Sequence, residues 1–325
     1  MIRLETEYAG LTLSNPLIIG SSGLTNSAKK NKELEDAGAG AVVLKSLFEE
    51  QIEMQSDSLL HPSDSPEASD YIRNYLKANQ VEEYLSLIKE TKSVCTIPVI
   101  ASINCYKANA WTEFAKQIEE AGADALELNV FYLCTDPDTQ ANEIYDLYIS
   151  ILKKVRKQVS IPVIMKIGKG FGNIPGLVKR IKLHEAQGVV LFNRYYMPDI
   201  DIRKMQITSG PVFSSPPDLS DTLRWTALVS GIVPGIPISS SCGVHAWTDV
   251  VKCLLAGATT VQLCSVIYKN GKDIIPRISD GIEEWMNESK YASVSEFRGK
   301  LSFSNAENPS LYERSQFMKY FSGHN

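Results

Sequence analysis

The chain has no run approaching the roughly 20 consecutive apolar residues that a membrane-spanning helix requires. Its opening, Met-Ile-Arg-Leu-Glu-Thr-Glu-Tyr, lacks the apolar core of a signal peptide. A membrane partner is therefore not expected, and a cytoplasmic home is. Charge of one sign is not concentrated anywhere: 33 Lys+Arg stand against 38 Asp+Glu, for a net charge of -5. The basic face that nucleic-acid binding normally needs is missing, so no nucleic-acid partner is expected. The six cysteines (95, 105, 134, 242, 253, 264) form no C-x-x-C pair, and the four histidines (61, 184, 245, 324) are scattered. Zinc and a redox dithiol lose their usual signatures, and no metal is expected. A G-x-G-x-x-G turn after the first strand is also lacking, which counts against a doubly wound dinucleotide-binding sheet.

What remains is a folded chain of 325 residues, 44% hydrophobic and 22% charged, long enough to bury most of its apolar surface. Its organisation shows in repeated punctuation. Ala37-Gly38-Ala39, Ala121-Gly122-Ala123 and Ala256-Gly257-Ala258 precede the apolar runs 41–46, 125–130 and 260–266. Ile97-Pro98, Ile161-Pro162 and Ile236-Pro237 open the runs 99–104, 163–167 and 238–242. With 16–22 and 189–193 these make eight candidate strands. Glycine there caps the preceding helix, and proline at a strand's first residue costs no ladder bond.

Between them lie helical patterns. Phe114, Ala115, Ile118 and Ala121 share one face, as do Val250, Val251, Leu254 and Leu255. Near-continuously apolar strands covered by helices predict a single-domain (β/α)8 TIM barrel spanning 1–325, with extended loops at its C-terminal mouth. Residues 47–94 form an insertion or lid region between strands two and three, and 281–325 form a C-terminal helical tail. A second long segment, 195–219, follows strand six. Segments after strands lie at the mouth, where barrel enzymes keep their chemistry.

Polar side chains interrupt the apolar strands at their ends. Lys45 and Lys166 close strands two and five, Asn104, Asn129 and Asn193 end strands three, four and six, and Glu127 shares the parity of Asn129. A barrel converges these groups on one mouth. Asparagine suits the amide edges of a flat heterocycle, and lysine stabilises the charge of a reduced ring. Barrels commonly hold phosphate on the loops after strands seven and eight. Here those loops read Ser241-Cys242-Gly243 and Cys264-Ser265, small residues that admit an anion to the backbone. A planar phosphorylated cofactor follows, and flavin mononucleotide (FMN) fits.

These residues resemble the dihydroorotate dehydrogenase family, especially its soluble class 1 branch, over nearly the whole chain. Asn15-Pro16 with Ser21-Ser22-Gly23, Val42-Val-Leu-Lys-Ser46, Glu127-Leu-Asn129, Lys166, and Cys253 to Thr259 with Val261-Gln-Leu-Cys-Ser265 carry the likeness, as does a tail helix at 291–301. The resemblance implies an FMN-dependent oxidation of dihydroorotate or a related dihydropyrimidine in pyrimidine biosynthesis, by a homodimer. It assigns the cofactor to Ser21, Ser22, Lys45, Ser46, Asn104, Asn129, Lys166, Cys242, Gly243, Cys264 and Ser265, and the substrate to Lys45, Asn129, Asn193 and Arg194. Cys134 is the candidate base, with Tyr132 and Thr135 behind it.

The departures concern the substrate side. The family's Asn-x-Ser-Cys-Pro-Asn loop here reads Asn129-Val-Phe-Tyr-Leu-Cys134-Thr-Asp136, placing the cysteine two residues late. His61-Pro-Ser-Asp-Ser-Pro replaces the strand-two substrate loop, and Arg194 stands where the family has serine. Pro216-Pro-Asp-Leu-Ser220 replaces a glycine-rich turn, and Cys242 and Cys264 replace phosphate-loop glycines. Arg194 suggests a bidentate clamp for a carboxylate. Two other classes stay open: a flavin- or phosphate-binding barrel with altered substrate or lost catalysis, and a tRNA dihydrouridine synthase-like enzyme.

Overall fold

The computed structural model describes residues 2–48, 66–105, 112–130 and 132–314. The His61-Pro segment and the last residues of the tail lie outside them. All eight expected strands form, and all pair in parallel: β3 (Leu17–Ile19), β4 (Ala41–Val43), β6 (Val99–Cys105), β7 (Ala125–Val130), β8 (Val163–Ile167), β9 (Gly188–Leu191), β12 (Ile238–Ser241) and β13 (Thr260–Leu263). The ring closes because β4 pairs with both β3 and β6. A two-residue strand, β5 (Leu47–Phe48), prolongs the pairing of β6 at the mouth. The chain is a closed (β/α)8 barrel. Outward strand residues such as Val42, Leu126 and Met165 are fully buried under the helices, so both faces of the sheet are dry.

The barrel interior is built in layers. Ile18, Ala41, Val43, Ile100, Ala125, Ile164 and Val190 fill the lower part. Their floor is a hairpin, β1 (Thr6–Tyr8) with β2 (Leu11–Leu13), whose Tyr8 and Leu13 are fully buried among them. The Tyr8 hydroxyl donates to the Val189 carbonyl at 3.4 Å.

The Ile-Pro openers gain a second function at this end. The Glu35 carboxylate accepts from Thr96 N at 2.8 Å, the Thr96 hydroxyl at 2.5 Å and Ile97 N at 3.2 Å. Glu119 does the same one repeat later, accepting from Ser160 N at 2.9 Å, Ile161 N at 3.0 Å and the Ser160 hydroxyl. Asp124 and Gln187 then each take the next free amide, Val99 N and Val163 N, both at 2.7 Å. Proline interrupts each turn, so these N–H groups have no ladder partner; the helix residues Glu35 and Glu119, and Asp124 and Gln187 in the turns before β7 and β9, supply one.

Partial burial pushes the Glu35 carboxyl up, but the Thr96 bonds and Lys32 outweigh it and hold its pKa at about 2. Glu35→Gln should therefore cost about 2 kcal/mol at neutral pH, the usual range for hydrogen bonds to a charged group. The folded pKa lies below the unfolded value of roughly 4.3, so this contribution is complete above about pH 5 and is lost as pH falls toward 2. Urea melts of both proteins from pH 7 to pH 3 check this: the gap between them should close on the acid side.

Two segments differ from the sequence expectation. The stretch 195–219 contains an antiparallel hairpin, β10 (Pro198–Asp201) with β11 (Gln206–Ser209), whose Ile200 and Ile207 are cross-strand partners. Its apolar side chains face outward: Ile202 is 83% exposed and Met205 88%. The segment 291–301 is a single 3-10 turn, Val294–Glu296, followed by further turns instead of a helix. Gly299 at φ +75° breaks helical continuation, while Phe297 anchors the segment edge-on against Trp285. Among the described residues, no helix is long and apolar enough to cross a membrane.

Candidate active site

Strand register decides which polar groups meet. Asn104 of β6, Asn129 of β7 and Lys166 of β8 are lateral neighbours in one row at the mouth. One layer below, Ser102 pairs in register with Glu127. Lys166 is 7% exposed, Gln262 4% and Glu127 1%. Lys166 Nζ donates to Gln262 Oε1 at 2.9 Å and to Glu127 Oε1 at 3.3 Å, and Gln262 Nε2 donates to Glu127 Oε2 at 2.6 Å. The ion pair is thus closed into a ring, which is what permits charge at this depth. Beside it runs a chain of hydroxyls, Ser21 to Ser46 at 2.9 Å and Ser46 to Ser102 at 2.7 Å.

Two cavities open above this layer. The first, about 400 Å³, is lined by Ser21, Ser22, Lys166, Gln262, Cys242, Cys264 and Ser265, under Val212, Phe213 and Tyr268. The Phe213 and Tyr268 rings lie 5.0 Å apart, so the segment after the β10–β11 hairpin meets the helix Ser265–Asn270 across this cavity. The second, about 270 Å³, is lined by Ser21, Ser46, Phe48, Asn104, Asn129, Lys166, Asn193 and Arg194. Ser21, Lys166, Asn193 and Arg194 belong to both. The two are chambers of one site, with Lys166 at their junction.

The far end of the first chamber is shaped by backbone. Cys242 and Gly243 follow one another at φ +79° and +80°. A Cβ on Gly243 would stand 2.1 Å from Leu219 N, so only glycine fits there. Cys242 takes the same left-handed conformation with a side chain, a strained choice for a non-glycine residue. Its thiol donates to the Phe192 carbonyl at 3.4 Å. Burial pushes the Cys242 and Cys264 thiols up, so both line the chamber as neutral groups. Cys95 and Cys253 are buried, and burial pushes the Cys253 thiol up to about 12.

Of the residues singled out from sequence, Ser21, Ser22, Ser46, Asn104, Asn129, Lys166, Asn193, Arg194, Cys242, Cys264 and Ser265 all line one chamber or the other. Gly243 supports the loop from behind. Lys45 and Cys134 line neither. Lys45 is exposed beyond the end of β4. Cys134 is half-buried on the loop after β7, with its thiol directed to the Asp136 carbonyl at 3.5 Å. Arg194 is not the free clamp that its position suggested. Its guanidinium pairs with Asp218 Oδ2 at 3.1 Å and donates to the Pro211 carbonyl at 3.1 Å. Burial opposes ionisation of Asp218, but the Ser215 N–H and hydroxyl, with Arg194 and Lys169, outweigh it and hold the carboxyl low.

Sequence reading missed Gln262, Phe213 and Tyr268. Gln262 carried a usable signal, a large polar residue inside an apolar strand. The two aromatics carried none, because only the path of 195–219 brings Phe213 over the chamber.

The site is a two-chambered pocket at the barrel mouth, with a buried lysine at its centre and small-residue loops after β12 and β13 at one end. Residues 3–286 match the sequence profile of the family described as Dihydroorotate dehydrogenase, and the chain belongs to that family of flavin-dependent oxidoreductases. It is 28% identical over 306 residues to the "Dihydroorotate dehydrogenase B (NAD(+)), catalytic subunit" of Thermoplasma volcanium, covering 92% of this chain and 98% of that one. The protein of that name from Pyrococcus furiosus is also 28% identical, over 91% of this chain and 98% of its own. The "NAD-dependent dihydropyrimidine dehydrogenase subunit PreA" of Escherichia coli K12 is 23% identical over 91% of this chain and 76% of its own. The protein is accordingly a dihydroorotate dehydrogenase-like oxidoreductase of pyrimidine metabolism.

Proposed function

We propose that the protein is an FMN-dependent dehydrogenase that oxidises the ring CH–CH bond of dihydroorotate. The observation that carries this reading is the pair of chambers joined at Lys166, one closed by backbone loops suited to phosphate and the other lined by three asparagines. The fit to FMN rests on the Gly243 cradle and on Asn129, whose buried Oδ1 has no partner among the described residues. Bound FMN supplies the hydride acceptor. The loops at Cys242-Gly243 and Cys264-Ser265 would hold the phosphate, and Ser21, Ser22 and Lys166 would meet the ring, where the lysine's charge would favour its reduction. Asn104 and Asn129 meet the flavin, and Asn129 and Asn193 fix the amide edges of the substrate. Cys134, on the loop that continues the Glu127–Asn129 strand, would accept the carbon-bound proton in its thiolate form. The outward apolar side chains of the β10–β11 hairpin support a homodimer, which sedimentation of the purified chain tests.

A second reading has one observation in its favour. Arg194 is already committed to Asp218, so the second chamber offers less free positive charge than a carboxylate asks for. A neutral dihydropyrimidine then suits the amides better. One anaerobic experiment decides: protein loaded with FMN and freed of excess is mixed with L-dihydroorotate or with 5,6-dihydrouracil while the visible flavin band is followed. Bleaching by dihydroorotate is expected. Bleaching by dihydrouracil alone would favour the neutral substrate, and a band that only dithionite removes would overturn both.

A further inference from the structure

Glu127 is the one charged member of the buried ring that lines neither chamber. It is 1% exposed and its oxygens face only Lys166 and Gln262 within that ring, at 3.3 and 2.6 Å. An apolar layer would fill this level of the barrel without the desolvation cost of two buried charges, so structural filling does not account for it. The lower layer shows the alternative at work, with Ile100, Ala125, Ile164 and Val190 packed together.

Lys166, by contrast, borders both chambers and is tethered by two acceptors from below. Its charge therefore reaches any ring above it only after partial cancellation by the carboxylate beneath. We infer that Glu127 is a positioning residue that sets how much of the Lys166 charge acts on the bound flavin, with Gln262 fixing the geometry between them. This rests on the FMN reading given above. A bare ammonium under the ring favours the reduced, negatively charged form. The carboxylate offsets it and keeps the flavin a weaker oxidant. The interaction is strong because the groups are dry and the local dielectric is low.

The test is the flavin midpoint potential, measured by anaerobic equilibration with a reference dye. Glu127→Gln keeps the shape and removes the charge, and should move the midpoint to more positive potential. A shift of at least tenfold in the ratio of reduced to oxidised flavin affinity is expected, about 30 mV for a two-electron couple. The exchange E127Q/Q262E returns the carboxylate to the ring and should bring the midpoint back toward wild type. Gln262→Met, which disturbs packing without changing charge, should move it far less than Glu127→Gln does. If Glu127→Gln does not fold, Glu127→Asp carries the test by withdrawing the charge, with a smaller shift of the same sign. An unchanged or more negative midpoint in a flavin-loaded Glu127 variant overturns this inference and leaves the FMN reading intact. Wild-type protein that retains no FMN overturns both.

Discussion

Gly243→Ala is expected to abolish retention of FMN through purification. The added Cβ would stand 2.1 Å from Leu219 N and 2.5 Å from Leu219 Cα, both backbone atoms at the start of the helix Leu219–Ile232. That helix cannot simply retreat, because Thr222 donates its hydroxyl to the Ser241 carbonyl at 3.0 Å, two residues before the glycine. The loop must move instead, at a φ of +80° that alanine also resists. Its backbone N–H groups would leave the positions proposed for the phosphate. A loss in affinity on the order of a hundredfold, about 2.7 kcal/mol, is expected. Fluorescence titration of apoprotein with FMN reads it directly, since free flavin is the bright species. Gly172, whose Cβ would meet nothing within 4 Å, is the matched control and should bind normally as alanine. Binding by Gly243→Ala within threefold of wild type would mean that the phosphate lies elsewhere.

Cys134→Ala should leave FMN binding unchanged and slow reduction of the flavin by substrate by roughly a hundredfold to ten-thousandfold, the usual worth of a positioned acid or base. The expectation is demanding because of where the thiol sits. It is half-buried, bonded to the Asp136 carbonyl, and outside both chambers among the described residues. Stopped-flow reduction under anaerobic conditions separates the chemical step from later turnover. A rate within tenfold of wild type would remove Cys134 from the chemistry and direct attention to Tyr132 on the same loop.

The frame of this molecule was legible because barrel strands carry local marks. Each strand announces itself by an apolar run and by the turn before it, so Val163–Ile167 or Thr260–Leu263 can be found from a handful of neighbours. Most of the chamber-lining residues followed for the same reason, since a polar side chain at a strand end has only one mouth to point into. What escaped were relations across long stretches of chain. Gln262 bonds Glu127 from 135 residues away and Lys166 from 96. Arg194 was read alone as a free cation, and Asp218, 24 residues on, takes that freedom away. The hairpin at 198–209 was hidden for another reason. Each strand carries a single isoleucine among mostly polar residues and buries neither face, so no core pattern marks them.

The Ile-Pro turns carry a consequence for engineering. Glu35, Glu119, Asp124 and Gln187 clasp their amides at the end of the barrel remote from the chambers, and the Tyr8 hairpin seals that same end from within. The lower half is therefore a chassis whose rigidity does not depend on what is mounted above it. Loops of other lengths and chemistries grafted after β7 or β9 should alter what the protein turns over while leaving its resistance to denaturation nearly where it was.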